Sequence, residues 1–213
     1  MRCRCATARS RRARTSSRDH DGAELTVFFP RALSGKETLD VAVAYHGTPR
    51  KGLYFTGPST DYPDTAVQVW SQGQDEDSRY WFPCFDYPNE KATSETLVTV
   101  PDAWTVVSNG KLLAVGRDRK GRSRTFHHRE ATPHVTYLIS IACGEFAKVE
   151  EHWRGIPVQY FVKPGQEDKA ERCFSLTPDM LGHFSKTFGV DYPYEKYSQV
   201  VVEDFIFGGM ENI

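Results

Sequence analysis

The sequence predicts a mainly β protein: an antiparallel β-domain followed by the first helix and strand of an α+β domain. Three observations lead there. Short runs rich in β-branched and aromatic residues recur from about residue 24 to residue 162, several of them alternating with a period of two. Turn chemistry separates the runs, at Ser34-Gly35, Gly57-Pro58, Pro101-Asp102, Asn109-Gly110, Lys120-Gly121 and Arg154-Gly155. Past about residue 165 the apolar period becomes that of a helix.

Taken in order, strands are expected over 25–29, 39–45, 66–70, 95–100, 104–108, 124–128, 135–142 and 158–162. In the second, Leu39, Val41, Val43 and Tyr45 would share a face. Asn109-Gly110 between two apolar runs is the strongest short-range hairpin signal, since both residues tolerate positive φ. A helix is predicted over 166–174, with Ala170, Cys173 and Phe174 on one face. Thr177-Pro178-Asp179 then offers an N-cap, a proline at the first helical position and an acid in the first turn. Met180, Leu181, Phe184 and Phe188 follow at helical spacing as a core stripe, and Gly189 is a natural stop. Tyr192-Pro193-Tyr194 forms a turn, and a strand over 199–202 leads into Phe207-Gly208-Gly209-Met210-Glu211-Asn212. The organisation reads as a disordered Arg-rich tail over 1–20, a β-domain over 21–150 that is incomplete at its start, and the truncated beginning of a second domain over 151–213. A strand running into a glycine pair, with the sequence ending at Ile213 one residue after Asn212, is the reason for expecting truncation.

Charge is unevenly distributed. Of 27 basic and 28 acidic residues, seven Arg and one Asp fall within 1–20, leaving 20 bases against 27 acids in the body. A net negative body is poorly suited to nucleic acid, whose binding depends on phosphate neutralisation. The Arg-rich start lacks the apolar stretch of a secretory signal, and no run approaches the roughly 20 apolar residues of a membrane span. Cys84, Cys143 and Cys173 are far apart, no C-x-x-C pair occurs, and Cys3-Arg4-Cys5 is too short to act as a ligand pair. Buried free thiols in a reducing, cytoplasmic setting are expected.

Two segments carry candidate chemistry. The first is Trp70-Ser71-Gln72-Gly73-Gln74 with the aromatic, proline-rich stretch that follows, in which Arg79 and Asp86 are the charged pair expected inside. The second is Gly208-Gly209-Met210-Glu211-Asn212, where two glycines allow close approach of another chain and a carboxylate two positions on could receive a cation. On residues alone, Glu211 reads more simply as a solvated loop acid, Gln74 as a turn residue and Arg79–Asp86 as a structural ion pair.

Phe207 to Asn212 resembles the G-[AG]-M-E-N exopeptidase signature of the zinc aminopeptidase family of the aminopeptidase N and leukotriene hydrolase type. Gln72-Gly73-Gln74 is similar to that family's Q-x-[EQ] element, and Arg79 to Asp86 to its R-x-x-F-P-C-x-D stretch. The resemblance covers about residues 22–213 and implies a saddle-like β-domain joined to a thermolysin-like catalytic domain. It implies that Glu211 binds the α-ammonium group of a peptide with a free amino terminus, that Gln74 is its partner, and that Gly208, Gly209 and Met210 lie along the peptide backbone. Charge-assisted bonds to an ammonium would account for exopeptidase action, because only a free terminus satisfies a desolvated acid. The family's zinc is held by H-E-x-x-H and a further glutamate. The seven His, at 20, 46, 127, 128, 134, 152 and 183, include none followed by Glu and no pair four apart. His127-His128 with His134 is the one cluster, and on a β-hairpin it reads as surface. Zinc is therefore expected in an intact parent and not on this chain, with H-E-x-x-H a few tens of residues beyond 213. The alternative is a non-catalytic peptide- or protein-binding module of the same fold. A hydrolase acting on epoxides rests on Gln74 and Gly209 alone.

Overall fold

The computed structural model describes residues 17–213 except 30, 33 and 36. In chain order the strands are β1 (Ser17–His20), β2 (Leu25–Phe28), β3 (Leu53–Thr56), β4 (Gln68–Ser71), β5 (Ala92–Pro101), β6 (Thr105–Ser108), β7 (Lys111–Arg117), β8 (Ser123–His134), β9 (Ile141–Gly144), β10 (Ala147–Trp153), β11 (Ile156–Val162) and β12 (Tyr197–Val200). Two helices, α1 (Glu167–Phe174) and α2 (Thr177–Phe188), separate β11 from β12. The protein is mostly β, as the sequence predicts, with several antiparallel sheets.

The chain divides at 47/48 into two units. In the first, β1 and β2 pair antiparallel, and the Asp21 carboxylate closes the turn by accepting from the Ala23 and Glu24 amides at 2.8 and 2.7 Å. The last four residues of the expected tail thus form a strand, and residues 1–16 lie outside the described residues. The expected strand over 39–45 does not form. Its alternation is real, but a strand persists only where a neighbour completes its ladder, and none of the described sheets includes it.

The second unit, residues 48–213, holds three sheets. One runs β3-β4-β9-β6 and the next β5-β8-β7, all antiparallel. Leu53, Val98, Val100, Val106, Phe126, Ile141 and Cys143 from both sheets form one core. The third sheet joins β10 and β11 through Arg154-Gly155, both at positive φ as a two-residue hairpin turn demands, and adds β12 parallel to β11. Trp153, Val158, Tyr160 and Val162 of this sheet form a second core with Ala170 of α1 and Leu181 of α2. Each of the large apolar side chains here, such as Val158, Val162 and Leu181, contributes roughly 1.5–3 kcal/mol by leaving water.

Five expectations need correction. Asn109-Gly110 does not close a hairpin, because β6 and β7 belong to different sheets. The run over 135–142 is broken by a 3-10 turn at Thr136–Leu138, and only from Ile141 is it a strand. Thr177 does not cap α2; it is buried, and its hydroxyl donates to Gln199 Oε1 at 3.1 Å. Of the α2 stripe only Leu181 enters the core, along with Thr177 and Ser185 one turn to either side, which leaves Met180, Phe184 and Phe188 exposed. The expected strand over 199–202 is Tyr197–Val200, and residues 201–213 carry none.

Candidate functional site

β4 lies between β3 and β9, and its continuation is the first candidate segment. The Gln72 amide donates to Gly52 O at 2.9 Å, and the Asp77 amide to Gly73 O at 2.9 Å. A Cβ at Gly73 would sit 2.6 Å from both Ser78 Oγ and Tyr137 O, so only glycine fits between the turn and the 3-10 segment. The Gln72 side chain is buried, and its Oε1 has no hydrogen-bond partner among the described residues. Gln74, one residue after the glycine, is exposed.

The second segment reaches the same region from the other end of the chain. Trp70 Nε1 donates to Glu203 O at 3.1 Å, and the Glu203 amide donates to Gln68 Oε1 at 2.8 Å. Phe205 packs edge-on against Trp70 at 5.2 Å, Phe207 against Tyr54 at 6.3 Å, and Tyr54 stacks on Trp70 at 4.5 Å. Four aromatic rings thus lay residues 203–207 over β3 and β4. Gly208, at φ +78°, then makes a tight turn in which the Gly209 amide donates to Phe207 O at 3.0 Å. Gly209 has open space where a Cβ would point. Met210 is half-buried and Glu211 exposed.

Asn109 is the residue that sequence reasoning missed. It is 2% exposed, and its amide Nδ2 donates to Leu138 O at 2.8 Å and to Ile213 O at 2.7 Å, while Oδ1 accepts from the Ser140 amide at 2.6 Å. Leu138 and Ser140 lie just past Tyr137, on which Gly73 rests. The turns carrying Gln74 and Glu211 are therefore both secured to one stretch, residues 137–140. The Asn-Gly pair was visible in the sequence; the burial of its side chain was not.

The aromatic, proline-rich corner is built around Asp86. Its Oδ2 accepts from the Arg79 amide at 2.9 Å and from Arg79 Nε at 3.3 Å, and the Arg79 guanidinium also bonds Glu76. Asp86 has a side chain 2% exposed and Arg79 one 39% exposed, so only the acid of the expected buried pair is inside. Burial pushes the Cys84 and Cys143 thiols up to about 12, while Cys173 is exposed. The buried-thiol reading fits Cys143 and, in part, Cys84.

The histidines do not form a surface cluster. His127 faces outward to Glu95 at 3.2 Å, whereas His128 and His134 are buried on the opposite side of β8. His134 is bonded to Ser94 Oγ and Thr132 O. Burial, with the nearby charges of Lys196 and His127, pushes His128 down to about 4. Lys196, half-buried just before β12, is itself pushed down to about 8 by desolvation, an effect opposed by Glu130. Among the described residues no three His, Cys, Asp or Glu side chains are placed to hold a metal.

Residues 4–138 match the Peptidase M1 N-terminal domain. The chain belongs to the peptidase M1 family, whose relatives here are aminopeptidases. It is 36% identical over 153 residues to aminopeptidase 2, mitochondrial, of Saccharomyces cerevisiae, covering 70% of this chain and 15% of that protein. It is 31% identical over 185 residues to glutamyl aminopeptidase of Mus musculus, covering 85% and 19%. It is 29% identical over 195 residues to aminopeptidase B of Rattus norvegicus, covering 91% and 29%. The chain thus spans less than a third of the length of these relatives.

Proposed function

We propose that this chain is the part of a zinc-dependent aminopeptidase that receives the free amino terminus of a peptide, the zinc site lying elsewhere in an intact parent. In this reading Glu211 binds the α-ammonium group and Gln74 adds a neutral acceptor. Gly208, Gly209 and Met210 run beside the peptide backbone. The boundary between a β-domain over 21–150 and a catalytic domain from 151, and a cytoplasmic location, belong to the same proposal. One observation carries it: segments more than a hundred residues apart, each holding one half of the anchor, are secured to the single stretch 137–140. Glu211 stands exposed beside main chain that has open space at Gly209, an arrangement that suits an incoming peptide.

Enzymes of this family are zinc enzymes, and the residues present here do not fit that ion. No His is followed by Glu, no two His are four apart, and no suitable cluster occurs among the described residues. No step of hydrolysis is therefore assigned to this chain, which by itself should bind no stoichiometric zinc and cleave no aminoacyl-anilide.

The test compares peptide anilides with free and acetylated amino termini on the full-length polypeptide. Cleavage restricted to the free-terminus substrate is expected. Equal rates on both, or no hydrolysis of either, would overturn the reading.

A further inference from the structure

We infer that Asn109 is a positioning residue that sets the separation between the two halves of the amino-terminus anchor. The inference rests on the functional reading above and adds to it a residue outside both motifs. A side-chain amide offers two donor hydrogens and a carbonyl. Asn109 uses all of them on main-chain partners: Leu138 O, Ile213 O and the Ser140 amide, at 2.6–2.8 Å. Its backbone cannot shift to accommodate a displaced partner. Gly110 holds φ +68°, and a Cβ there would be 2.0 Å from Arg129 O, so the corner is wedged against β8. On one side of the amide, Tyr137 backs the Gly73 turn that presents Gln74. On the other, Ile213 is two residues from Glu211.

The donor to Ile213 is therefore the link by which the β-sheets fix where the carboxylate stands. Residues 201–213 have no strand of their own and depend on such links: the Trp70 indole at 203, the aromatic packing of Phe205 and Phe207, and Asn109 at 213. Asn109 lies nearest the end that carries Glu211. A neighbouring Asn that only closed a surface turn would not be buried and would not bond a residue 104 positions away.

The test is a double-mutant cycle in the full-length polypeptide, using steady-state kinetics on an amino-acid anilide. Asn109→Ala should lower kcat/KM about tenfold when Glu211 is present, the scale set by losing a buried hydrogen bond and its alignment. In the Glu211→Ala background it should cost less than about twofold more, because nothing remains to be placed. An equal loss in both backgrounds would show that Asn109 supports only the fold, and the inference would fail. Asn109→Ser, which adds no charge and keeps a small hydrogen-bonding group, gives the same cycle if the alanine variant does not fold. An inactive parent would sink the functional reading and leave the placement itself to be measured. Spin labels at 74 and 211 should then show a narrow distance distribution that broadens in Asn109→Ala. An unchanged distribution would overturn the inference independently of activity.

Discussion

The two candidate segments are held in opposite ways. The turn at 72–74 is enclosed: Gly73 touches Tyr137 and Ser78, Gln72 is buried, and only Gln74 reaches solvent. The stretch 208–211 is suspended between fixed ends, with Phe207 packed on Tyr54, Ile213 bonded to Asn109, and open space at both glycines between. Each segment has a glycine at its centre, yet for different reasons. Gly73 is required by its neighbours, Gly208 by its positive φ, and Gly209 by neither. One segment is thus fixed by its surroundings, and the other is held only at its ends.

The largest expected effect tests that contrast directly. Gly73→Ala drives a methyl to 2.6 Å from a main-chain oxygen and should cost about 3 kcal/mol or more in urea unfolding, whereas Gly209→Ala should stay within about 0.5 kcal/mol. Comparable costs at the two positions would erase the distinction.

Acid should loosen the structure where β8 meets the turn that precedes β12. His128 is held down to about 4 against an unfolded value near 6.5, by burial first and then by the nearby charges of Lys196 and His127. The unfolded chain takes up this proton first, so the stability due to neutral His128 is intact above pH 6.5 and is lost as pH falls toward 4. The loss amounts to about 3 kcal/mol by pH 4. His128→Leu should flatten this acid limb in urea midpoints measured from pH 7 to 4; an equally steep limb would assign it to other groups.

On function, Glu211→Ala in the full-length polypeptide should lower kcat/KM by at least about tenfold and Gln74→Ala by less. A bond to a full charge contributes roughly 1.5–3 kcal/mol and a neutral one about 1 kcal/mol. A larger loss at Gln74 would reverse the roles proposed for the two residues. A smaller effect is expected for Trp70→Phe, which removes the donor to Glu203 O and trims part of a buried ring. It should cost about 1 kcal/mol of stability, read by thermal unfolding, and a neutral outcome would show that the tether depends on the aromatic stack alone.

The sequence carried the β character, most strand positions, α1 and the stop at Gly189, all of which are encoded locally by period and turn chemistry. It misled wherever the answer depended on partners distant in the chain. Leu39, Val41, Val43 and Tyr45 alternate as a strand should, but a ladder requires a second strand. Thr177 has the identity of a cap, yet Gln199 competes for its hydroxyl. Asn109-Gly110 has the chemistry of a hairpin turn and the φ for one at Gly110, while β6 and β7 diverge into separate sheets. For the proposed site, the two segments could be named from the sequence but their common support on 137–140 could not, since no local pattern reports a bond across 104 positions.

The bond between Trp70 and Glu203 also has a consequence in time. Its two ends are 133 residues apart, and ribosomes add roughly 5–20 residues per second, so the indole is made on the order of ten seconds before its acceptor. β3 and β4 can pair early, because the loop between them is short and closes at small entropic cost. During that interval Tyr54 and Trp70 lack the cover that Phe205 and Phe207 give them in the folded chain.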